Sequence, residues 1–268
     1  MISMQRLLPA ITEAGHLAQQ YYRQGTKLGA RLKADRSVVT AADTAVEGLL
    51  RQAIQQLFPE ANVLGEEHGI AYDPGKPYTF VIDPIDGTAT FASGTPCWAI
   101  CVGVLDRALQ PVAGIVSAPA WDSLFVADLD PQSPATHNGV PLPQAGRPEP
   151  VDSNTTIITD SRLYQTHQLQ GFTGKCRNFG SAALHICLVA QQSGFVLAHA
   201  CPVYIWDIAA AHAIAARVGL SVQYIDGRPL HYEPLIAGSP TLGHTVAGHP
   251  EMLATLLPAF VPVASMPV

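Results

Sequence analysis

The stretch from Tyr78 to Thr88 constrains this chain more than any other. Tyr78-Thr79-Phe80-Val81-Ile82 is an apolar, β-branched run. It passes without a break into Asp83-Pro84-Ile85-Asp86-Gly87-Thr88. Pro84 and Gly87 force a tight turn around two carboxylates three residues apart. Acids at the C-terminal end of a strand face the crevice where layered α/β folds bind ligands. Two such groups side by side repel in a low dielectric, so the pattern calls for a cation between them. Oxygen-only donors favour Mg²⁺, Ca²⁺ or Mn²⁺ over zinc. Asp-Pro and Asp-Gly are also favoured turn dipeptides, so an ordinary acidic turn fits this stretch taken alone.

The rest of the chain organises around that strand. Residues 4–24 read as an amphipathic helix that Gly25 ends. Residues 27–40 read as a short irregular hairpin, with Val38, Val39 and Thr40 as a strand. Ala41 to Phe58 reads as a second helix, stopped by Pro59. Asn62 to Gly65, Tyr78 to Ile82, Ala99 to Leu105, Val112 to Ser117 and Ser123 to Ala127 carry strand signals, and the last three suggest an antiparallel meander. Six prolines between residues 131 and 150 place a boundary between two subdomains, 1–150 and 151–268, near the end of that segment. The second half alternates strand (Thr155 to Thr159, Phe195 to His199, Val222 to Ile225, Thr245 to Ala247) with helix (Ser181 to Gln192, Ile205 to Val218, Glu251 to Leu257). This alternation argues for α/β layering. No internal repeat or low-complexity tract interrupts it.

Composition narrows the function classes. Of 268 residues 48% are hydrophobic, which allows a sizeable core, whereas only 13% are charged, so function rests on a few concentrated charges. The net charge of −6 and the scattered basic residues speak against a nucleic-acid partner. The richest apolar stretch, Ala200 to Leu220, carries Asp207, His212 and Arg217 and makes a poor membrane span. Arg6, Glu13 and His16 interrupt the N-terminal segment, which does not read as a signal peptide. Five dispersed cysteines form neither a disulfide framework nor a zinc knuckle, so a reducing cytoplasmic setting is expected.

Further acids join the first two. Glu66-Glu67 follows Gly65; such a pair on a loop is often only solvated. Asp207 follows Trp206 and opens the Ala-rich helix, where an Asp can be merely an N-cap; Asp43 sits in the first turn of the second helix. Taken together, Gly65-Glu66-Glu67, Asp83-Pro84-Ile85-Asp86-Gly87-Thr88, Gly180-Ser181-Ala182-Ala183-Leu184 and Trp206-Asp207-Ile208-Ala209-Ala210 resemble the inositol monophosphatase-like family in kind and order. Lys33 to Asp43 and the Asn138-Gly139 turn fit the same pattern, and the matches run from about residue 33 to 215.

The resemblance implies a layered α-β-α-β-α fold: an α+β first half with an antiparallel sheet, a smaller α/β second half, and a metal site between them. It implies a phosphatase acting on a small phosphorylated metabolite with two to three Mg²⁺ ions, Mn²⁺ being an alternative. Glu66, Asp83 and the Ile85 carbonyl would hold one ion. Asp83, Asp86 and Asp207 would hold a second, and a weaker third would lie near Glu66 and Glu67. Thr88 with Asp43, assisted by Glu67, would orient and deprotonate the attacking water. The backbone of Gly87 and Thr88 would hold phosphate, and Gly180, Ser181 and Ala182 the organic part of the substrate. A homodimer and inhibition by lithium are implied as well.

Two departures bear on specificity. The family usually has Asn two residues after the motif Thr, where this chain has Thr90. Inositol monophosphatases carry an acid seven residues before the helix-opening Asp, where this chain has Ala200; His199 or Tyr204 are the residues placed to compensate. Candidate substrates are therefore an inositol, sugar or polyol phosphate, histidinol phosphate, fructose 1,6-bisphosphate or adenosine 3′,5′-bisphosphate. Absence of a Lys-Glu-Phe continuation after the motif argues against the last. A non-enzymatic regulator binding the transcription machinery is the competing reading. A haloacid-dehalogenase type of phosphatase is disfavoured, because its two acids lie two residues apart rather than three.

Overall fold

A computed structural model describes residues 3–23, 31–32, 38–39, 41–69 and 71–263. Lys33 to Ser37 and Thr40, which belong to the upstream part of the family pattern, lie outside the described residues. The first half contains α1 (Leu8–Arg23), β1 (Arg31–Leu32), β2 (Val38–Val39), α2 (Ala41–Leu57), β3 (Asn62–Gly65), β4 (Tyr78–Asp86), α3 (Thr88–Ala92), β5 (Ala99–Asp106), β6 (Pro111–Ala118), β7 (Ser123–Ala127), β8 (Thr136–His137) and β9 (Val140–Pro141). The second contains β10 (Thr156–Ile158), α4 (Leu163–Thr166), β11 (His167–Leu169), β12 (Lys175–Arg177), α5 (Ala182–Ala190), β13 (Phe195–Ala200), α6 (Ile205–Arg217), β14 (Ser221–Tyr224), β15 (Thr245–Gly248), α7 (Pro250–Leu256) and β16 (Phe260–Pro262).

Two main sheets result. The larger runs β3-β4-β5-β6-β7-β8-β9, antiparallel except for the parallel β3–β4 pair. The smaller runs β12-β10-β13-β15-β14 and mixes parallel with antiparallel pairs. Along β4 successive side chains enter different cores. Phe80 and Ile82 pack with Ile11, Val46, Leu50 and Ile54 of α1 and α2, while Val81 joins the core of α5 and α6. The far face of the small sheet is covered by α7, through Met252, Leu253 and Leu256 against Ile157, Leu197 and Val246. The layer order is therefore α-β-α-β-α, as the sequence suggested.

The Ala-rich composition of α6 has a steric cause. The helix lies so close on β5 and β6 that a Cβ on Gly114 would collide with the Ala210 carbonyl, and one on Gly103 would come within 2.7 Å of the Ala209 Cβ. Arg217, at the other end of α6, donates to the carbonyls of Asp128, Asp130, Ser133 and Val112 at 2.6 to 3.2 Å. A helix fixed at both ends and along its length carries Asp207 in its first turn.

Several boundaries differ from the sequence reading. β4 extends through Asp86 rather than ending at Ile82, because its register against β5 shifts after Asp83 and the extra residue absorbs Pro84. The short ribbon β11–β16 and the strands β8, β9 and β12 carry no apolar alternation and were not anticipated.

Candidate active site

Asp83 and Asp86 are three apart, a spacing that sends side chains to opposite faces of a regular strand. The irregularity corrects this. Asp83 pairs with Cys101 and Asp86 with Ala99, so three steps along β4 match two along β5, and the bulge turns both carboxylates to one side. The Asp83 Oδ1 accepts the Ile85 N–H at 3.0 Å, which fixes the turn from within. Gly87 follows at φ 92°, a left-handed conformation, and starts α3.

The second half grips the same turn. Ser181 caps α5, accepting the Leu184 N–H at 3.1 Å, while its hydroxyl donates to Asp86 Oδ2 at 2.5 Å. The N–H groups of Ala183 and Ala182 reach Asp86 at 2.7 and 3.3 Å. Sequence reasoning placed Ser181 and Ala182 toward substrate; in the structure Ser181 is fully buried and both residues hold an acid. Asp207 Oδ2 accepts the Tyr204 N–H at 2.7 Å within a capping box. Asp83, Asp86 and Asp207 bring carboxylate oxygens within 4.8 Å of one another.

Glu66 completes the group. Strand β3 runs parallel to β4 with Gly65 opposite Ile82, so the next residue comes abreast of Asp83. A brace absent from the sequence reading holds the loop there. The buried Glu47 accepts the N–H groups of Glu67 at 2.7 Å and His68 at 3.1 Å, and pairs with Arg51 at 3.0 Å. A Cβ on Gly65 would overlap that carboxylate, which is the physical need for glycine there. The only sequence signal for the brace was a Glu on the apolar side of α2 four residues before an Arg.

Electrostatics mark the cluster as a cation site. Burial pushes the Asp83 carboxyl well above the usual range, and Glu66, Asp86, Asp207 and Asp43 push it further. Burial outweighs the Ser181 and α5 hydrogen bonds and raises Asp86 to about 6. Burial and Asp86 raise Asp207 well above its ordinary value. All the donors are oxygens, so the set fits a hard divalent ion. The Thr88 hydroxyl donates to the Ile85 carbonyl at 3.0 Å, and Asp43 is buried in the first turn of α2.

Glu66, Asp86 and Asp207 open on a cavity of about 330 Å³ whose other walls include Asp160, Arg162, Asn178, Gly180, Ala182, Ala200 and Tyr204. Tyr204 thus faces the cavity. His199 does not: alternation along β13 sends it to the opposite side from Ala200, so it cannot stand in for the missing acid. Thr90 supports the loop, its hydroxyl lying 2.7 Å from the carbonyls of both Gly87 and Cys97.

Known proteins resemble this chain in sequence and in fold. The chain is 29% identical over 229 residues to the 3′(2′),5′-bisphosphate nucleotidase CysQ of Escherichia coli K12, covering 82% of this chain and 90% of that one. It is 30% identical over 239 residues to the histidinol-phosphatase of Streptomyces coelicolor, covering 84% and 87%. The crystal structure of the extragenic suppressor protein suhB from Bartonella henselae superposes with a TM-score of 0.82 at 22% identity, over 96% of this chain and 97% of that one. With the profile of the inositol monophosphatase family matching residues 4–260, the chain belongs to that family and is a phosphoric monoester hydrolase.

Proposed function

We propose that the protein is a Mg²⁺-dependent phosphatase that releases phosphate from a small metabolite by direct attack of water. The observation that carries this reading is the cluster of Asp83, Asp86 and Asp207, the first two buried, with Asp86, Asp207 and Glu66 opening on one cavity. Glu66, Asp83, Asp86, Asp207 and the Ile85 carbonyl would hold two to three ions. When bound there, Mg²⁺ neutralises phosphate charge and makes a water acidic enough to react near neutral pH.

The protein groups do the rest. The Thr88 hydroxyl shares its proton with the Ile85 carbonyl. With that carbonyl holding a cation, the hydroxyl would turn toward Asp43, which would leave its oxygen to accept from the water to be activated. Glu67 extends the same network. The N–H groups of Gly87 and Thr88, at the start of α3, hold phosphate oxygens. Gly180 and Ala182 flank the organic part of the substrate. Residues 1–150 act as the subdomain that supplies most ligands and 151–268 as the one that completes the site.

Inositol monophosphate and related polyol phosphates are the first substrates to test. A bisphosphate is the second reading, supported by Arg162 on the cavity wall and by Ala200 in place of an acid. Phosphate release should be measured from inositol 1-phosphate, fructose 1,6-bisphosphate, histidinol phosphate and adenosine 3′,5′-bisphosphate, with Mg²⁺, Mn²⁺ or chelator. Metal-dependent release supports the mechanism, and the best substrate names the branch. No release from a folded, metal-loaded protein sinks the catalytic reading for these substrates and favours a regulator, testable by co-purification with RNA polymerase. We also propose a cytoplasmic homodimer inhibited by lithium, checked by fractionation, light scattering and LiCl titration. No helix among the described residues is long and apolar enough to cross a membrane.

A further inference from the structure

On the other face of β13 three histidines converge. His199 is fully buried, and His167 at the start of β11 and His244 just before β15 are partly buried; each ring offers a nitrogen within 4.8 Å of the others. The rings are in aromatic contact, His167–His244 at 4.9 Å and His199–His244 at 5.0 Å between centroids, with Phe260 of β16 stacked on His199 at 5.5 Å. Among the described residues, both ring nitrogens of His199 and the Nδ1 of His244 are buried without a hydrogen-bond partner. Leaving such atoms buried and unpaired forfeits the hydrogen bonds they would make to water.

The surrounding groups orient the rings. His199 Nδ1 lies 2.9 Å from Asp160 Oδ2, an ion-pair distance at an angle that makes no hydrogen bond, and the other oxygen of that carboxylate accepts the Arg162 N–H at 2.7 Å. His167 Nδ1 lies 3.1 Å from Thr166 Oγ, which leaves its Nε2 for the cluster. A carboxylate behind one ring nitrogen, with the other nitrogen unpaired, is the arrangement that holds a metal-binding imidazole in one tautomer.

We infer that His167, His199 and His244 form a second metal site, of Zn²⁺ class, distinct from the acidic centre and oriented by Asp160. Three imidazoles suit Zn²⁺, Co²⁺, Ni²⁺ or Cu²⁺ and are poor ligands for Mg²⁺. The His199 and His244 rings are near parallel at 20°, and a lone pair lies in its ring plane, so His244 must rotate to share an ion with His199. Its Nδ1 has no hydrogen bond to lose among the described residues. A solvent or fourth ligand completes a tetrahedron. Because β11 pairs with β16 while His199 lies in β13 and His244 directly precedes β15, the ion ties the β11–β16 ribbon to the small sheet. Asp160 also lines the acidic cavity, so the two sites share one wall.

The test is a titration of metal-stripped protein with Co²⁺ and Zn²⁺ in excess Mg²⁺, which occupies the acidic centre. We expect one Co²⁺ per chain with the intense visible absorption of tetrahedral nitrogen coordination, displaced by Zn²⁺, and a rise in Tm on Zn²⁺ addition. His244→Ala and His167→Ala, at partly exposed positions, should each weaken binding by roughly 100-fold or more and abolish the band. Asp83→Asn, which removes an acidic ligand, should leave the band intact, so failure of the phosphatase reading would not be confused with failure of this one. Absence of a tetrahedral band in the wild type, or equal binding by folded His244→Ala and wild type, would overturn the site.

Discussion

Two clusters of titratable groups lie on opposite faces of β13, and they were built differently. The acidic one takes Asp83 and Asp86 from a single turn, Glu66 from the neighbouring strand and Asp207 from a helix start. Each is steered by hydrogen bonds: Ile85 N–H on Asp83, Ser181 and Ala183 on Asp86, Tyr204 N–H on Asp207. The histidine cluster draws its members from residues 167, 199 and 244, with one carboxylate behind His199 and unpaired nitrogens at its centre. The first destabilises the chain by repulsion between charges, the second by unmet hydrogen-bonding capacity. Both penalties fall when a cation arrives, but the donor chemistry selects different ions.

The largest way to break this comparison is Asp83→Asn. Losing the carboxylate that neighbours all the others should cut Mg²⁺-dependent phosphate release on the order of 10³-fold, since the ion's contribution is several kcal/mol. In chelator the same variant should unfold at a higher temperature than wild type, because a buried charge held far above its normal pKa has been removed. Thermal unfolding with and without Mg²⁺ checks both signs. A variant that is slower but no more stable would mean the acids do not repel in the metal-free protein.

The two clusters also differ in how far the sequence disclosed them. The acidic turn, the α6 start and the Gly-Ser-Ala segment are local strings, so residue type and spacing identify them. The bulge that aligns Asp83 with Asp86 was invisible, because register against β5 is a property of two strands. The Glu47–Arg51–Gly65 brace was hidden for the same reason: its partners are the backbone N–H groups of a loop beyond the helix. The histidines were furthest from view. His199 was one of two residues, with Tyr204, read as able to compensate for the missing acid, and only the alternation of β13 with Ala200 shows that it faces the other way. Elements with strong apolar periodicity (α2, β5, β6, α6) were found close to their true limits. The short ribbon β11–β16, which exists through pairing of distant segments, was not.

A half-buried histidine with its own partner sharpens the contrast. His212 on α6 lies 3.0 Å from the Tyr232 hydroxyl, and burial depresses it from 6.5 to about 4. Folding therefore favours its neutral form. Its stabilisation is complete above pH 6.5 and is lost as pH falls toward 4, in total ~3 kcal/mol. Urea unfolding at pH 7 and pH 5 should show about 2 kcal/mol of that loss, and His212→Gln should remove its share of the slope. Zn²⁺ should not restore it, since His212 belongs to no cluster.

Ser181→Ala separates support of a ligand from the ligand itself. The change deletes a charge-assisted hydrogen bond to Asp86 and the α5 cap together, at a cost of about 2 kcal/mol. Asp86 should become harder to ionise, and Mg²⁺ affinity by calorimetry should fall roughly 10- to 100-fold. Co²⁺ binding at the histidines should be unchanged. If Mg²⁺ affinity held steady, the N–H groups of Ala182 and Ala183 alone would suffice to orient Asp86.

The smallest expected effect concerns Thr90, the residue that departs from the family pattern. Its hydroxyl serves the carbonyls of Gly87 and Cys97, and its methyl fills the space a side chain on Gly180 would occupy. Thr90→Val keeps the methyl and removes the donor, and should cost about 1 kcal/mol in denaturant unfolding with a modest rise in KM. Thr90→Ser keeps the donor and removes the methyl, and should cost less, because the vacated space is partly open to water. The reverse order would mean that contact with Gly180, between the two halves, fixes the loop more than its own hydrogen bonds do. Either result bears on why the acidic site accepts Thr where the family resemblance led us to expect Asn. The loop needs a donor that bridges Gly87 and Cys97, and a hydroxyl meets that need as an amide would.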